Sequence, residues 1–317
     1  MDEVVHHLNY LAENPVAGLN EEDRADMFVQ IREGFGRSAL LLSGGAGLGM
    51  HHFGVIKTMH EAGLLPRIIS GSSAGALVGA LVCVTTDANL TELLDGSTPA
   101  LKSHYMISRE NDGELLGNWA TMQRLVFRGC LADVQVLKEC CQANFGDTTF
   151  QEAYDTTRRI LNITVNSTQH ESPRLLNYLT SPNVVIWSAA CASCALSGIF
   201  SEVELMCKNK DGELVPWNPH GMKWSDGSIE TDLPTQHLRE MFNVNHFIVS
   251  QVNPHVVPVL SIWPGLAEKL PWWFKLGVSE VNFRLLMLIE MGIFPALLRR
   301  LLRVLTQEYT GDITIVP

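Results

Sequence analysis

The chain is short of positive charge: 23 lysines and arginines face 34 aspartates and glutamates, a formal net charge of −11 over 317 residues. A nucleic-acid binder needs a basic surface to displace counterions from phosphates, so general nucleic-acid affinity is excluded. Attraction of the whole molecule to anionic membranes is disfavoured for the same reason, which leaves only a local basic patch. Also lacking is an apolar core in the first 30 residues, where His6, His7 and many acids stand, so no signal peptide is expected. A spanning helix needs about 20 largely uncharged residues. The strongly apolar stretch Leu285 to Leu305 is interrupted by Glu290, Pro295, Arg299, Arg300 and Arg303. There is no internal repeat and no low-complexity linker. With 46% hydrophobic and 18% charged residues, one α/β domain with a sizeable core is the simplest account.

The cysteines are seven, an odd number, which without an export signal favours reduced thiols and an intracellular, non-secreted protein. Cys191-Ala192-Ser193-Cys194 has C-x-x-C spacing, but no second pair and no spaced histidines follow, so no metal site is expected. It lies in the small-residue run Ser188 to Gly198, which suits a tightly packed helix. A buried structural role is the reading for both cysteines.

Hydrophobic patterning gives the order of elements. Residues 1–36 read as short helices broken at Asn14-Pro15. Ala39 to Leu42 is a buried strand running into Gly44-Gly45, and Met50 to Ala62 has helical spacing with Gly63 as its stop. Arg67 to Ser70 is the next strand, and Ser73 to Val84 an apolar helix. Strand, helix, strand, helix in so short a span is the signature of a parallel sheet. Asp87 to Ala132 reads as polar surface helices and loops. Ile160–Val165, Leu175–Leu179 and the stretch within Asn243–Gln251 read as further strands. Beyond these, Trp263, Trp272, Trp273 and Phe274 cluster near Pro264 and Pro271. That end reads as helices capping the domain or as an interfacial surface.

Chemistry concentrates in three places. Gly71-Ser72-Ser73-Ala74-Gly75 is G-x-S-x-G after a strand and before a helix, the form of a nucleophile elbow. The sharp turn strains the serine backbone, so small neighbours are needed, and Gly71 and Gly75 supply them. Ser73 then sits at a helix N-terminus, where developing negative charge is favoured. Upstream, Gly44-Gly45-Ala46-Gly47-Leu48-Gly49 also joins a strand to a helix and offers backbone N–H groups to an anion. A P-loop needs Lys then Ser or Thr where Met50-His51 stand, and no G-x-G-x-x-G is present. An oxyanion hole needs the same donors without a lysine, and Gly44, Gly45, Ala46 and Gly47 are its candidates. Downstream, Trp224-Ser225-Asp226-Gly227-Ser228 holds an acid within what is otherwise a turn signal, and Asp226 becomes the candidate base for Ser73. His237, His246 and His255 follow Asp226 in the order of a Ser-Asp-His triad, and His51 and His52 lie beside the glycine loop; each also fits an ordinary hydrogen-bonded histidine. No histidine has Asp five residues on, as an acyltransferase H-x-x-x-x-D would require.

A glycine-rich loop, then G-x-S-x-G, then a distant D-G-[G/A/S] resembles the patatin-like phospholipases over about residues 36–255. The stretches Gly36–Leu40, Leu64–Ile69, Leu175–Pro182 and Phe247–His255 look like the triacylglycerol lipase branch, which includes plant oil-mobilising and fungal lipid-particle lipases. The resemblance implies a three-layer α/β/α fold with a mainly parallel central sheet and a Ser73–Asp226 dyad without a catalytic histidine. It implies no cofactor and no metal. It further implies hydrolysis of storage triacylglycerol at lipid droplets, with phospholipase, lysophospholipase or acyltransferase activity as the alternative. A non-catalytic droplet scaffold is the other class. Expected organisation is a helical extension at 1–36, a catalytic domain at 37–256, and a helical, aromatic and basic segment at 257–317, packed on the domain or at a lipid surface. The sequence departs from the family at Ala46 and Leu48, where a third glycine and a basic residue are usual. It departs again at Ser197, where proline is usual, and at Asp232, where Asn is common. Loss of the basic residue also occurs in the lipase branch, whose members are longer at both ends.

Overall fold

The computed structural model describes residues 2–14, 20–95, 134–167, 174–195, 203–217, 224–226, 233–254, 256–257, 271–294, 302, 306–307 and 309–317. Most of the expected polar stretch after Asp87 lies outside these, as do Ser197, Asp232, His255 and Gly227-Ser228.

Two helices, α1 (Asp2–Glu13) and α2 (Glu21–Phe35), precede the first strand. Asn20 caps α2, its Oδ1 accepting from the Asp23 N–H at 2.7 Å. No residue of α2 is buried, so this helix adds nothing to the core. There follow β1 (Arg37–Leu42), a 3-10 helix (Ala46–Met50), α3 (His51–Glu61), β2 (Ile68–Gly71), α4 (Ala74–Val84) and α5 (Asp87–Asp95). Next come α6 (Val134–Phe145), α7 (Phe150–Thr157), β3 (Ile160–Ser167), β4 (Arg174–Leu176) and α8 (Ile186–Cys194). The rest is β5 (Met206–Lys208), β6 (Leu214–Pro216), β7 (Trp224–Asp226), α9 (Thr235–Phe242), β8 (Val244–Ser250), α10 (Trp272–Glu290) and β9 (Ile313–Ile315).

The main sheet has the order β4-β3-β2-β1-β8-β9, with β7 paired to β3 off that path and β5-β6 forming a separate ribbon. All pairs from β3 to β9 along the path are parallel; β4 and β7 run antiparallel to β3. The central strands are apolar on both faces, as a sheet covered on both sides requires. In β1, Leu40 and Leu42 point to one core with Ile69, Ile163 and the helices α4 and α8. Ala39 and Leu41 point to the other, with Phe247, Leu238 and Phe242 on α9. The layers are therefore α/β/α, as the resemblance implies. Each fully buried leucine of β1 contributes roughly 1.5–3 kcal/mol.

Three local differences from the sequence reading have physical causes. The strand expected over Leu175–Leu179 ends at Leu176, because Asn177 Oδ1 accepts the N–H groups of Leu179 and Thr180 at 2.9 and 3.0 Å and forces a turn. Trp224–Asp226, read as a turn signal, is a short strand on β3. Near the C-terminus β9 extends the sheet: the Gln251 N–H donates to Ile315 O at 2.8 Å and the Phe247 N–H to Asp312 Oδ2 at 2.7 Å. Among the described residues no helix is long and apolar enough to cross a membrane.

Candidate active site

The carboxyl ends of β1, β2 and β8 lie side by side, the position at which open α/β sheets bind ligands. β1 leaves the sheet first. The Ser43 N–H still bonds Ser250 O at 3.1 Å, and Ser43 Oγ accepts the Val252 N–H at 2.8 Å. Gly44 is buried and Gly45 half-buried, and the 3-10 helix begins at Ala46 and includes buried Gly47. Gly45 presses on the Val252 backbone: a Cβ there would stand 2.7 Å from Val252 O, so no larger residue fits.

β2 ends in the elbow. Ser73 has φ 51° and ψ −119°, a conformation that costs a non-glycine residue about 1–3 kcal/mol. The turn is tight enough that a Cβ on Gly75 would collide with the Leu42 carbonyl and lie 2.8 Å from Ser43 O, and one on Gly71 would meet the Gly75 carbonyl. Ser73 is half-buried, and its hydroxyl is not consumed in capping α4. At the other end of α4, Arg159 is buried and donates to Val82 O and Thr85 O, both at 2.7 Å, while pairing with Asp87. A cation there complements the negative end of the helix whose positive end meets Ser73.

The position of Asp226 follows from register. Ile163 of β3 pairs with Gly71 on one side and Leu176 on the other. Val165 pairs with Arg174 of β4 and with Asp226. Since β4 occupies one edge of β3 at both points, β2 and β7 share the other edge. Asp226 thus follows Gly71 by two residue positions along it, about 7 Å at strand rise. That is the slot Ser73 would fill if β2 did not turn away.

The histidines divide. His52 is fully buried, its Nε2 3.0 Å from Ser43 O and its Nδ1 2.7 Å from Ser250 Oγ. A carbonyl only accepts, so Nε2–H is the donor and Nδ1 accepts from the Ser250 hydroxyl. Burial holds the ring neutral, lowering its pKa to about 4, with nearby His51 acting in the same direction. With both nitrogens engaged, His52 braces the base of the glycine loop and has none to offer Ser73. His51 and His237 are exposed. His246 pairs with Ser38, four residues back along β1 from the site, and faces Asp312 with Nδ1–Oδ2 of 3.7 Å.

Sequence reasoning missed Ser193, which is buried on α8 and accepts the Ser73 N–H at 2.9 Å. Its only sequence signal was a small polar residue inside a small-residue helix. The flanking Cys191 and Cys194 are reduced thiols, Cys191 buried and Cys194 half-buried. Among the described residues no cluster of His, Cys, Asp and Glu has the makings of a metal site.

The patatin-like phospholipase family profile matches residues 40–239. Over its full length the chain is 41% identical to triacylglycerol lipase SDP1L of Arabidopsis thaliana, covering 40% of that protein. It is 37% identical, again over its full length, to triacylglycerol lipase ptl3 of Schizosaccharomyces pombe, covering 66% of it. Over 97% of the chain it is 40% identical to triacylglycerol lipase 4 of Saccharomyces cerevisiae, covering 36% of it. The chain therefore spans between 36% and 66% of the length of these relatives. A match of this extent, which takes in the serine elbow between β2 and α4, makes the chain a member of the patatin-like phospholipase family.

Proposed function

We propose that this chain hydrolyses carboxylic esters of lipids, triacylglycerol foremost, through a Ser73–Asp226 dyad. The observation that carries the reading is the sheet register, in which Asp226 continues the edge of β3 that β2 abandons at the elbow. The Asp226 carboxylate accepts the Ser73 hydroxyl proton as Oγ attacks the ester carbonyl. Backbone N–H groups of the loop Gly44–Gly47, those of Gly45 and Ala46 foremost, stabilise the oxyanion. Collapse expels the alcohol, which takes the proton from Asp226 and leaves an acyl-enzyme. Water, deprotonated by the same carboxylate, then releases the fatty acid and restores Ser73. The engagement of both His52 nitrogens supports a base other than histidine.

The substrate preference rests on the names of the relatives, triacylglycerol lipases of a plant and two yeasts. Peripheral attachment to a lipid droplet belongs to the same reading. It is supported by α10 and the turn that follows, which leave Trp273, Val281, Phe283 and Met291 61%, 66%, 59% and 62% exposed. Apolar side chains left exposed in this way suit contact with a lipid surface.

The test is fatty-acid release from emulsified triacylglycerol, diacylglycerol, phospholipid and lysophospholipid by the wild type, Ser73→Ala and Asp226→Asn. Triacylglycerol should be cleaved fastest, and both variants should lose at least about 10³-fold while remaining folded. Hydrolysis that survives both substitutions removes the dyad. Faster release from a phospholipid moves the substrate, and the absence of any turnover favours a scaffold.

A further inference from the structure

The elbow leaves one strained residue to be held, and a hydroxyl on a different helix holds it. The Ser73 N–H donates to Ser193 Oγ at 2.9 Å, and Ser193 Oγ–H donates onward to Thr164 O at 2.9 Å. Ser193 is fully buried on α8. Thr164 stands between Ile163, the partner of Gly71, and Val165, the partner of Asp226. The hydroxyl therefore bridges the break at which β2 leaves β3 and β7 takes its place.

The geometry points to Ser193 as the positioning residue of the nucleophile, fixing Ser73 in its positive-φ conformation and setting its distance from the strand of Asp226. The inference rests on the reading of Ser73 and Asp226 as the dyad. A hydroxyl suits the place because it joins one donor to one acceptor, and it both accepts and donates. The same bond occupies the Ser73 N–H, which is therefore not itself an oxyanion donor. Without the hydroxyl, the Ser73 N–H loses its hydrogen bond to α8, and the backbone is freer to relax toward ordinary φ. A shift of about 1 Å in Oγ is enough to cost about 100-fold in rate.

Ser188 provides a matched control on the same helix. It is also fully buried, accepts the Met206 N–H at 3.0 Å and donates to Val185 O at 2.8 Å, away from the elbow. Four variants of the full chain, Ser193→Ala, Ser193→Thr, Ser188→Ala and Ser73→Ala, are compared with the wild type. The readouts are labelling rate with a fluorophosphonate probe, kcat and KM on p-nitrophenyl butyrate, and thermal melting. Ser193→Ala should lower kcat and labelling about 10- to 100-fold with KM within about threefold, and Ser193→Thr should recover most of the loss. Ser188→Ala should melt earlier, as Ser193→Ala does, but label at the wild-type rate. Wild-type labelling of folded Ser193→Ala, or an equal loss in Ser188→Ala, overturns the inference. If Ser193→Ala does not fold, Ser193→Cys, close in volume but weak in hydrogen bonding, decides between tenfold slower labelling and the wild-type rate. Persistent labelling of Ser73→Ala instead removes the nucleophile assignment itself, a distinct failure.

Discussion

Two glycines one turn apart on α4 show how closely the elbow is specified at the residue scale. A Cβ on Gly75 meets backbone atoms of Leu42 and Ser43, which have nowhere to go. A Cβ on Gly79 finds Ile69 Cγ2, Leu161 Cδ1 and Leu42 Cδ1 at 3.4 to 3.6 Å, ordinary contact with the ends of side chains. Gly75→Ala should therefore destabilise by about 1–3 kcal/mol or more and abolish probe labelling. Gly79→Ala should be neutral or gain up to about 1 kcal/mol from helix propensity, with labelling intact. Thermal melting together with fluorophosphonate labelling checks both. This contrast also explains what could be read in advance. Gly71, Ser73 and Gly75 are legible because steric demands within five consecutive residues dictate them. Ser193 is not, because its task is defined by a contact 120 residues away in sequence and any buried helix can carry a serine.

At the scale of elements, one buried side chain, His52, ties a helix to two strands near the site. Its ring on α3 links the end of β1, through Ser43 O, to the end of β8, through Ser250 Oγ. Its pKa falls from 6.5 to about 4 on folding because burial penalises the charged ring. Above pH 6.5 the ring is neutral folded and unfolded, so His52 adds no pH dependence there. Between 6.5 and about 4 the unfolded chain takes up a proton that the folded one refuses, and stability falls with pH at about 1.4 kcal/mol per unit, roughly 3 kcal/mol in all. Below about pH 4 both states are charged and this contribution is exhausted. Urea denaturation at several pH values should show that slope in the wild type, and His52→Gln should lack it. At this scale the sequence showed β1, β2, β8, α3 and α4, whose apolar runs are long or periodic. It did not show β7, because three residues bordering a D-G turn signal have no period of their own.

At the scale of the whole molecule, the site is assembled from chain segments that lie far apart in sequence. Strand β1 near the start is separated from β9 near the end only by β8. The glycine loop rests on residues just past β8, whose outer edge is covered by β9. That covering strand was invisible in the sequence, since Ile313-Thr314-Ile315 is short and follows a long apolar helical region. Removing residues 309–317 would strip backbone partners from Ile248, Val249 and Ser250, and leave the Phe247 and Gln251 N–H groups without Asp312 Oδ2 and Ile315 O. At about 1 kcal/mol net per bond, the loss amounts to several kcal/mol. Ser250 braces His52 and Val252 abuts Gly45, so a loosened β8 also loosens the proposed oxyanion donors. The truncated protein should melt earlier and react more slowly with a fluorophosphonate, even at a temperature where circular dichroism finds it folded. If it labels at the wild-type rate, the sheet edge and the site are uncoupled, and the loop's geometry is then held by β1 and α3 alone.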